Sequence, residues 1–234
     1  MPVPPASAGQ PSAGLPAIPI LCAVTDRRRL PILAHVAAAV DAGIDWVQIR
    51  EPDLPAAELY EVVRHAVDEA GGERPGGPAA RTRIIVNDRL DVALAAGAHG
   101  VHLRGTSFDA SRARALAAAS GAADFLIGRS VHSVEEAVAV ERGGGLDYLI
   151  FGTIFPTASK PEGHPLAGPE ALRAAVAACR LPVLGIGGIT LENADRIAAA
   201  GAAGVAAIGL FLGRPSMEAD VASIRRTFAV TRPR

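Results

Sequence analysis

Cysteine, an excess of charge of either sign and long apolar runs are all scarce in this sequence. Its two cysteines, Cys22 and Cys179, form no CxxC pair, which argues against a disulfide framework. Cys22 lies in an apolar strand pattern, so both read as inert thiols of a reduced, cytoplasmic protein. A formal net charge of −1 leaves no electrostatic footprint for nucleic acid or an anionic membrane surface and points to a small substrate. The densest basic run, Arg27, Arg28 and Arg29, reads as a solvated loop, with a local anion contact as the alternative. The opening segment PVPPASAGQPSAGLPAIP has neither a basic start nor a continuous apolar run. It fits neither a signal peptide nor a membrane helix, and residues 1–18 read as a disordered tail. His35 and His65 fall in predicted helices, His99 in a turn and His164 in a loop, so the histidines promise no metal cluster.

What is present is apolar bulk. Half of the 234 residues are hydrophobic, enough for a large core and of a size normal for a single α/β barrel spanning 19–230. The stretch IIVNDRLDVALAAGAHGVHL, from Ile84 to Leu103, sets the pattern. A β-branched run ends at Asn87 and Asp88, an alanine-rich helix follows from Leu90 to Ala96, Gly97 stops it, and Val101 to Leu103 begin again as a strand. That is a compact βαβ unit, the module of a parallel sheet.

The same alternation runs along the chain. Strands are expected at Ile20 to Val24, Trp46 to Ile49, Ile84 to Val86, Val101 to Leu103, Phe125 to Ile127, Tyr148 to Phe151, Val183 to Ile186 and Val205 to Ile208. Helices are expected from Ile32 to Ala42, Leu59 to Ala70, Leu90 to Ala96, Ser111 to Ala119, Val134 to Arg142, Pro169 to Ala178, Glu192 to Ala200 and Met217 to Phe228. The glycine- and proline-rich 71–78 segment reads as a mobile loop. A helix-ending glycine recurs as AGIDWV at Ala42, AGAHGV at Ala96, GGGLDYL at Gly143 and AGAAGV at Ala200, each ahead of an even-numbered strand. The expected fold is therefore α/β, a single (β/α)8 TIM barrel, with its site at the C-terminal ends of the strands.

Those ends supply the candidates: Thr25 and Asp26; Gln48 and Arg50; Asn87 and Asp88; His102; Ser130 and His132; Thr157, Ser159 and Lys160; Gly187 and Gly188; Ile208 and Gly209. FPTASKPEGHP offers hydroxyls and a cation for a phosphate or pyrophosphate, or else is a solvated loop. GIGGIT lets the backbone approach an anion after strand seven, or else is a tight turn. His132 is placed to move a proton near neutral pH, or else caps the helix beginning near Ser133. Arg50 and Asp88 either pair with each other or contact substrate.

From Ile20 to Leu212 the segments AVTDR, WVQIREPDL, IIVNDRLDVALAAGAHGVHL, IGRSVHS, FGTIFPTASKP and PVLGIGGITLENA, in this order and spacing, resemble the superfamily of thiamine phosphate synthase and the TenI thiazole tautomerases. The resemblance implies coupling of hydroxymethylpyrimidine diphosphate to thiazole phosphate with release of pyrophosphate. It implies that Gln48, Arg50 and Asn87 contact the pyrimidine diphosphate, that Asp88 binds Mg²⁺, and that Ser130 lies near the reacting groups. Thr157, Ser159 and Lys160 would serve the pyrophosphate and thiazole, and Gly188, Ile208 and Gly209 the thiazole phosphate. Two positions depart from the pattern. Pro52 stands where the family has a lysine, and Ser107 where it has a second metal aspartate, with Asp109 the nearest carboxylate able to substitute. The alternative is a thiazole tautomerase with His132 as the base, which needs neither Mg²⁺ nor the lysine. A thiazole phosphate-binding protein without turnover is a third reading. Neither nucleic acid nor membrane is an expected partner, and homo-oligomerisation is left open.

Overall fold

Short β-branched runs buried on both faces, each followed by an alanine-rich amphipathic segment, can satisfy their backbones only in a parallel sheet wrapped by helices. The computed structural model describes residues 15–72, 82–122, 124–161, 163–212 and 216–231. Eight strands close into a parallel barrel in sequence order, with β1 (Ile20–Val24) paired to β8 (Gly204–Ala207). Between them lie β2 (Trp46–Ile49), β3 (Arg83–Asn87), β4 (Gly100–Leu103), β5 (Leu126–Val131), β6 (Tyr148–Phe151) and β7 (Val183–Ile186). The helices are α1 (Ile32–Asp41), α2 (Ala56–Gly71), α3 (Leu90–Ala95), α4 (Ala110–Ala119), α5 (Val134–Arg142), α6 (Gly168–Ala178), α7 (Ala194–Ala199) and α8 (Met217–Thr231).

Alternate strand residues sort into two cores. Leu21, Val47, Ile84, Val101, Ile127, Leu149 and Val205 face outward against the helices, while Cys22, Trp46, Ile85, Tyr148, Ile150 and Leu184 fill the barrel. The recurrent glycines do what the repeat implied. Gly43, Gly97 and Gly201 each follow a helix at φ of 72°, 70° and 82°, a left-handed conformation that side chains disfavour. In GGGLDYL it is Gly144, at φ 73°, that takes this role.

Three expected boundaries move far enough to matter. β5 extends through Gly128, Arg129 and Ser130 to Val131, because β6 pairs all four positions, and β4 the first two, regardless of hydropathy. α2 starts at Ala56, immediately after Pro55, rather than at Leu59. α7 begins at Ala194, not Glu192, since Asn193 closes a turn by accepting the Thr190 N–H at 2.9 Å and donating to the Gly188 carbonyl at 3.0 Å. Of the expected tail, residues 1–14 lie outside the described residues, and Leu15 packs against the interior core. Residues 73–78 of the expected 71–78 loop lie outside them too, while Gly71 ends α2.

Both cysteines are free; burial pushes the Cys22 thiol up to about 12, so it stays protonated and unreactive. Among the described residues no helix is long and apolar enough to cross a membrane.

Candidate active site

Strand register puts the polar residues on one rim. The Thr25 hydroxyl donates to Glu51 Oε1 at 2.7 Å and accepts the Arg50 N–H at 3.0 Å, and Glu51 Oε1 also accepts the Arg27 N–H at 3.1 Å. Glu51 is thus a buried tie between the first two strand ends. Arg50 is left exposed above it, its guanidinium without a hydrogen bond or ion pair among the described residues. On the adjoining strands Gln48 Nε2 donates to Asn87 Oδ1 at 3.0 Å, so two expected site residues form one amide pair.

Asp88 follows with φ of 61°, a conformation uncommon for a side-chain-bearing residue and one that aspartate tolerates better than most. Its N–H donates to the His102 carbonyl at 2.9 Å. Of the two alternatives for Arg50 and Asp88, pairing with each other does not form: Arg104, one residue past β4, donates through Nε to Asp88 Oδ2 at 2.6 Å, and a residue directly following the adjacent strand is better placed than one across the rim. Ser107 donates to the other carboxylate oxygen and accepts the Arg104 N–H at 2.9 Å. Arg129, buried at the end of β5, donates to the Ser107 carbonyl at 3.2 Å and to that of Phe108, which fixes this loop. A cavity of about 170 Å³ opens between Ile49, Glu51, Pro52, Asn87, Asp88 and Arg104. A larger one, of about 500 Å³, lies at the opposite end of the barrel against Leu146 and Leu181, where the Glu141 carboxylate ties down the Arg180 and Leu181 N–H groups; it is remote from these side chains.

These contacts bear on the expected metal. Asp88 is a single carboxylate engaged by a guanidinium and a hydroxyl, and Ser107 carries no charge. Asp109 is the exposed N-cap residue of α4. Among the described residues no three His, Cys, Asp or Glu side chains converge to hold a metal ion. Mg²⁺ is held by one or two carboxylates together with substrate phosphates, so this donor set does not fit an ion held by the protein alone.

Across the rim, Ser130 on β5 meets His102 Nε2 at 2.8 Å. His132 Nδ1 lies 2.6 Å from the Gly152 carbonyl, which accepts only, so Nδ1 carries a proton, and in the neutral ring Nε2 is the nitrogen with the lone pair. His132 does not cap α5: Ser133 accepts the Glu136 N–H at 3.1 Å, and Glu136 reaches back to the His132 N–H at 2.7 Å, a capping-box arrangement shifted by one residue.

The loop after β6 runs beside the loop after β7, with Ile154 and Phe155 N–H groups donating to Ile186 and Gly187 carbonyls at 2.9 and 3.0 Å. The Arg196 guanidinium stacks 5.0 Å above the Phe155 ring. Thr157 and Ser159 hydroxyls sit 3.1 Å apart at the exposed end of this loop, next to Lys160, the chain's single lysine. Gly187 and Gly188 have φ of 104° and 62°, and a Cβ on Gly188 would collide with the Pro156 carbonyl. Gly209 opens a short 3₁₀ turn after Ile208. A guanidinium nitrogen of Arg29 lies 3.6 Å from where a Gly209 Cβ would stand. In the basic run, Arg27 and Arg28 both pair with Asp53 at 3.1 Å, and Arg29 forms no ion pair among the described residues.

The rim therefore brings together Gln48, Asn87, Asp88, Ser130 and His132 on one side and Thr157, Ser159, Lys160, Gly188, Ile208 and Gly209 on the other. Arg104 and Arg129 escaped sequence reasoning. The signal for Arg104 was its position directly after GVHL; Arg129 lay inside a motif read for its neighbours.

Proteins named thiamine-phosphate synthase are 38% identical from Chlorobium luteolum, over 93% of this chain and 96% of that protein. The one from Methanospirillum hungatei is also 38% identical, over 88% and 94%. The structure of thiamine phosphate pyrophosphorylase from Pyrococcus furiosus superposes with a TM-score of 0.76 at 31% identity, covering 90% of this chain and 96% of that one. 3-Hexulose-6-phosphate synthase, at 18% identity and a TM-score of 0.62, shares the fold. The family model described as thiamine monophosphate synthase matches residues 21–211, nearly the entire barrel, and the chain belongs to that family.

Proposed function

We propose that the protein is a thiamine-phosphate synthase, a transferase of thiamin biosynthesis that joins hydroxymethylpyrimidine diphosphate to thiazole phosphate. The bond between the pyrimidine's exocyclic methylene carbon and the diphosphate oxygen breaks, its electron pair leaving with pyrophosphate. The thiazole nitrogen lone pair then forms the new C–N bond, giving thiamine phosphate. Catalysis of such a step consists of orienting two rings and stabilising the departing charge. Gln48 and Asn87 orient the pyrimidine. Arg50, Thr157, Ser159 and Lys160 receive the pyrophosphate. Gly188, Ile208 and Gly209 hold the thiazole phosphate, and Ser130 stands by the reacting atoms. The amide pair between Gln48 and Asn87 carries this reading, because a proton shift on the thiazole alone has no use for it. The two unpaired thiols fit a reducing, cytoplasmic setting.

A second reading has an observation of its own. The Nδ1 bond to the Gly152 carbonyl leaves Nε2 of His132, in the neutral ring, as the group a thiazole tautomerase needs to remove and return a proton, and the engagement of Asp88 by Arg104 and Ser107 weakens the case for metal-assisted departure. The deciding experiment is pyrophosphate release from both substrates, with Mg²⁺ and with chelator. Release requiring both substrates supports the synthase, and its Mg²⁺ dependence shows whether a metal accompanies the diphosphate. Absence of release, with tautomerisation abolished by His132→Ala, supports the second reading. Thiazole phosphate binding without either reaction overturns both in favour of a binding protein.

A further inference from the structure

Beneath the rim, Tyr148 on β6, His102 on β4 and Ser130 on β5 form a continuous polar line through an otherwise apolar barrel. Tyr148 is fully buried, its ring 4.5 Å from that of Trp46 and stacked 5.7 Å from that of His102. It reaches His102 because Gly128, its ladder partner, has no side chain; a Cβ there would collide with the Tyr148 ring. His102 Nδ1 is 3.3 Å from the Tyr148 hydroxyl and Nε2 is 2.8 Å from Ser130 Oγ.

Burial sets the direction of these bonds. His102 is buried, and among the described residues its ring nitrogens meet only the Tyr148 and Ser130 hydroxyls, with no carboxylate to hold a second proton, so the ring is neutral and holds one proton. Among the described residues the Tyr148 hydroxyl meets only His102. If Nδ1 carried the ring proton, the phenol would have to accept, and its own hydrogen would be buried without a partner. The satisfied arrangement has Tyr148 O–H donating to Nδ1, which places the ring proton on Nε2, donating to Ser130 Oγ. Ser130 is partly exposed at the strand end, and its own hydrogen is then free to leave the barrel.

We propose that Tyr148 and His102 are positioning residues that convert the Ser130 hydroxyl into a fixed hydrogen-bond donor directed at an anionic oxygen of the substrate. The direction of donation follows from the buried geometry alone; its use in turnover rests on the synthase reading.

The test is long-range ¹H–¹⁵N correlation spectroscopy of the ¹⁵N-labelled protein, with His102 assigned by its proximity to the Tyr148 ring protons and by comparison with His102→Gln. The expected result is an Nε2–H ring with unprotonated Nδ1, and in Tyr148→Phe the appearance of the Nδ1–H form. An Nδ1–H ring in the unaltered protein overturns the inference. In turnover, Tyr148→Phe and Ser130→Ala should each lower kcat by about tenfold, the worth of one hydrogen bond, and the double variant should be no slower than Ser130→Ala. Multiplying effects would overturn the relay. Should the substrate pair not react at all, the synthase reading fails while the ring tautomer still decides this inference.

Discussion

Asp88 matches the family pattern, and its contacts bear on whether it can serve a metal. A carboxylate expected to meet a divalent ion instead meets Arg104 and Ser107. If that engagement competes with a metal, Ser107→Asp combined with Arg104→Gly should raise Mg²⁺ affinity by at least about tenfold, since a second carboxylate replaces a competing cation. Calorimetric titration of Mg²⁺ checks it, and unchanged affinity would mean that the loop, not the guanidinium, is the obstacle. Arg29 carries a second prediction. It stands by Gly209 while its two neighbours are held by Asp53, so Arg29→Ala should weaken thiazole phosphate binding by about tenfold, the value of one charge-assisted contact. Arg28→Ala, measured in the same titration, should leave binding unchanged.

At the scale of elements, the site depends on two loops that cross closely. The β6 loop can lie on the β7 loop only because Gly188 presents no side chain to the Pro156 carbonyl and takes φ of 62°. Gly188→Ala meets both obstacles, and denaturant unfolding should show a loss of about 2–3 kcal/mol. Gly185, where an added Cβ would meet only the Ile197 and Leu172 side chains, at 3.2 Å and beyond, is the control and should lose less on the same change. The anion reading of GIGGIT also changes at this scale. With α7 only six residues long and starting at Ala194, a macrodipole has little to offer, and the backbone N–H groups of the glycine turn must act by direct hydrogen bonds.

The whole molecule couples acidity to folding through histidines kept neutral inside it. Burial lowers the His35 pKa to about 4, and among the described residues neither ring nitrogen has a partner within hydrogen-bond geometry; the Phe211 backbone only partly offsets the burial. Burial, reinforced by the nearby Arg129 guanidinium, lowers that of His102 further, to about 3. Both groups bind protons more readily in the unfolded chain, so their contribution is complete above about pH 6.5 and is lost as pH falls towards 4. For His35 this amounts to about 3 kcal/mol. The midpoint of thermal unfolding should therefore drop steeply between those pH values, and His35→Leu should flatten the drop. An equally steep profile in that variant would place the acid sensitivity elsewhere.

Much of this was legible in the chain itself. Periodicity and the recurring glycines determined eight βα units, and with them the rim on which Gln48, Asn87, Ser130, His132, Lys160 and Gly188 had to lie, because strand direction in a parallel barrel sends every strand end to one face. Local sequence also contained the Ser133 and Glu136 cap. What it did not contain were contacts between strands far apart in sequence: Arg104 rather than Arg50 on Asp88, Arg29 beside Gly209, and Tyr148 against His102 across Gly128. Hydrophobic pattern specifies which face a residue takes, whereas the partner of a polar group depends on ladder register and loop path, and only the closed barrel sets those.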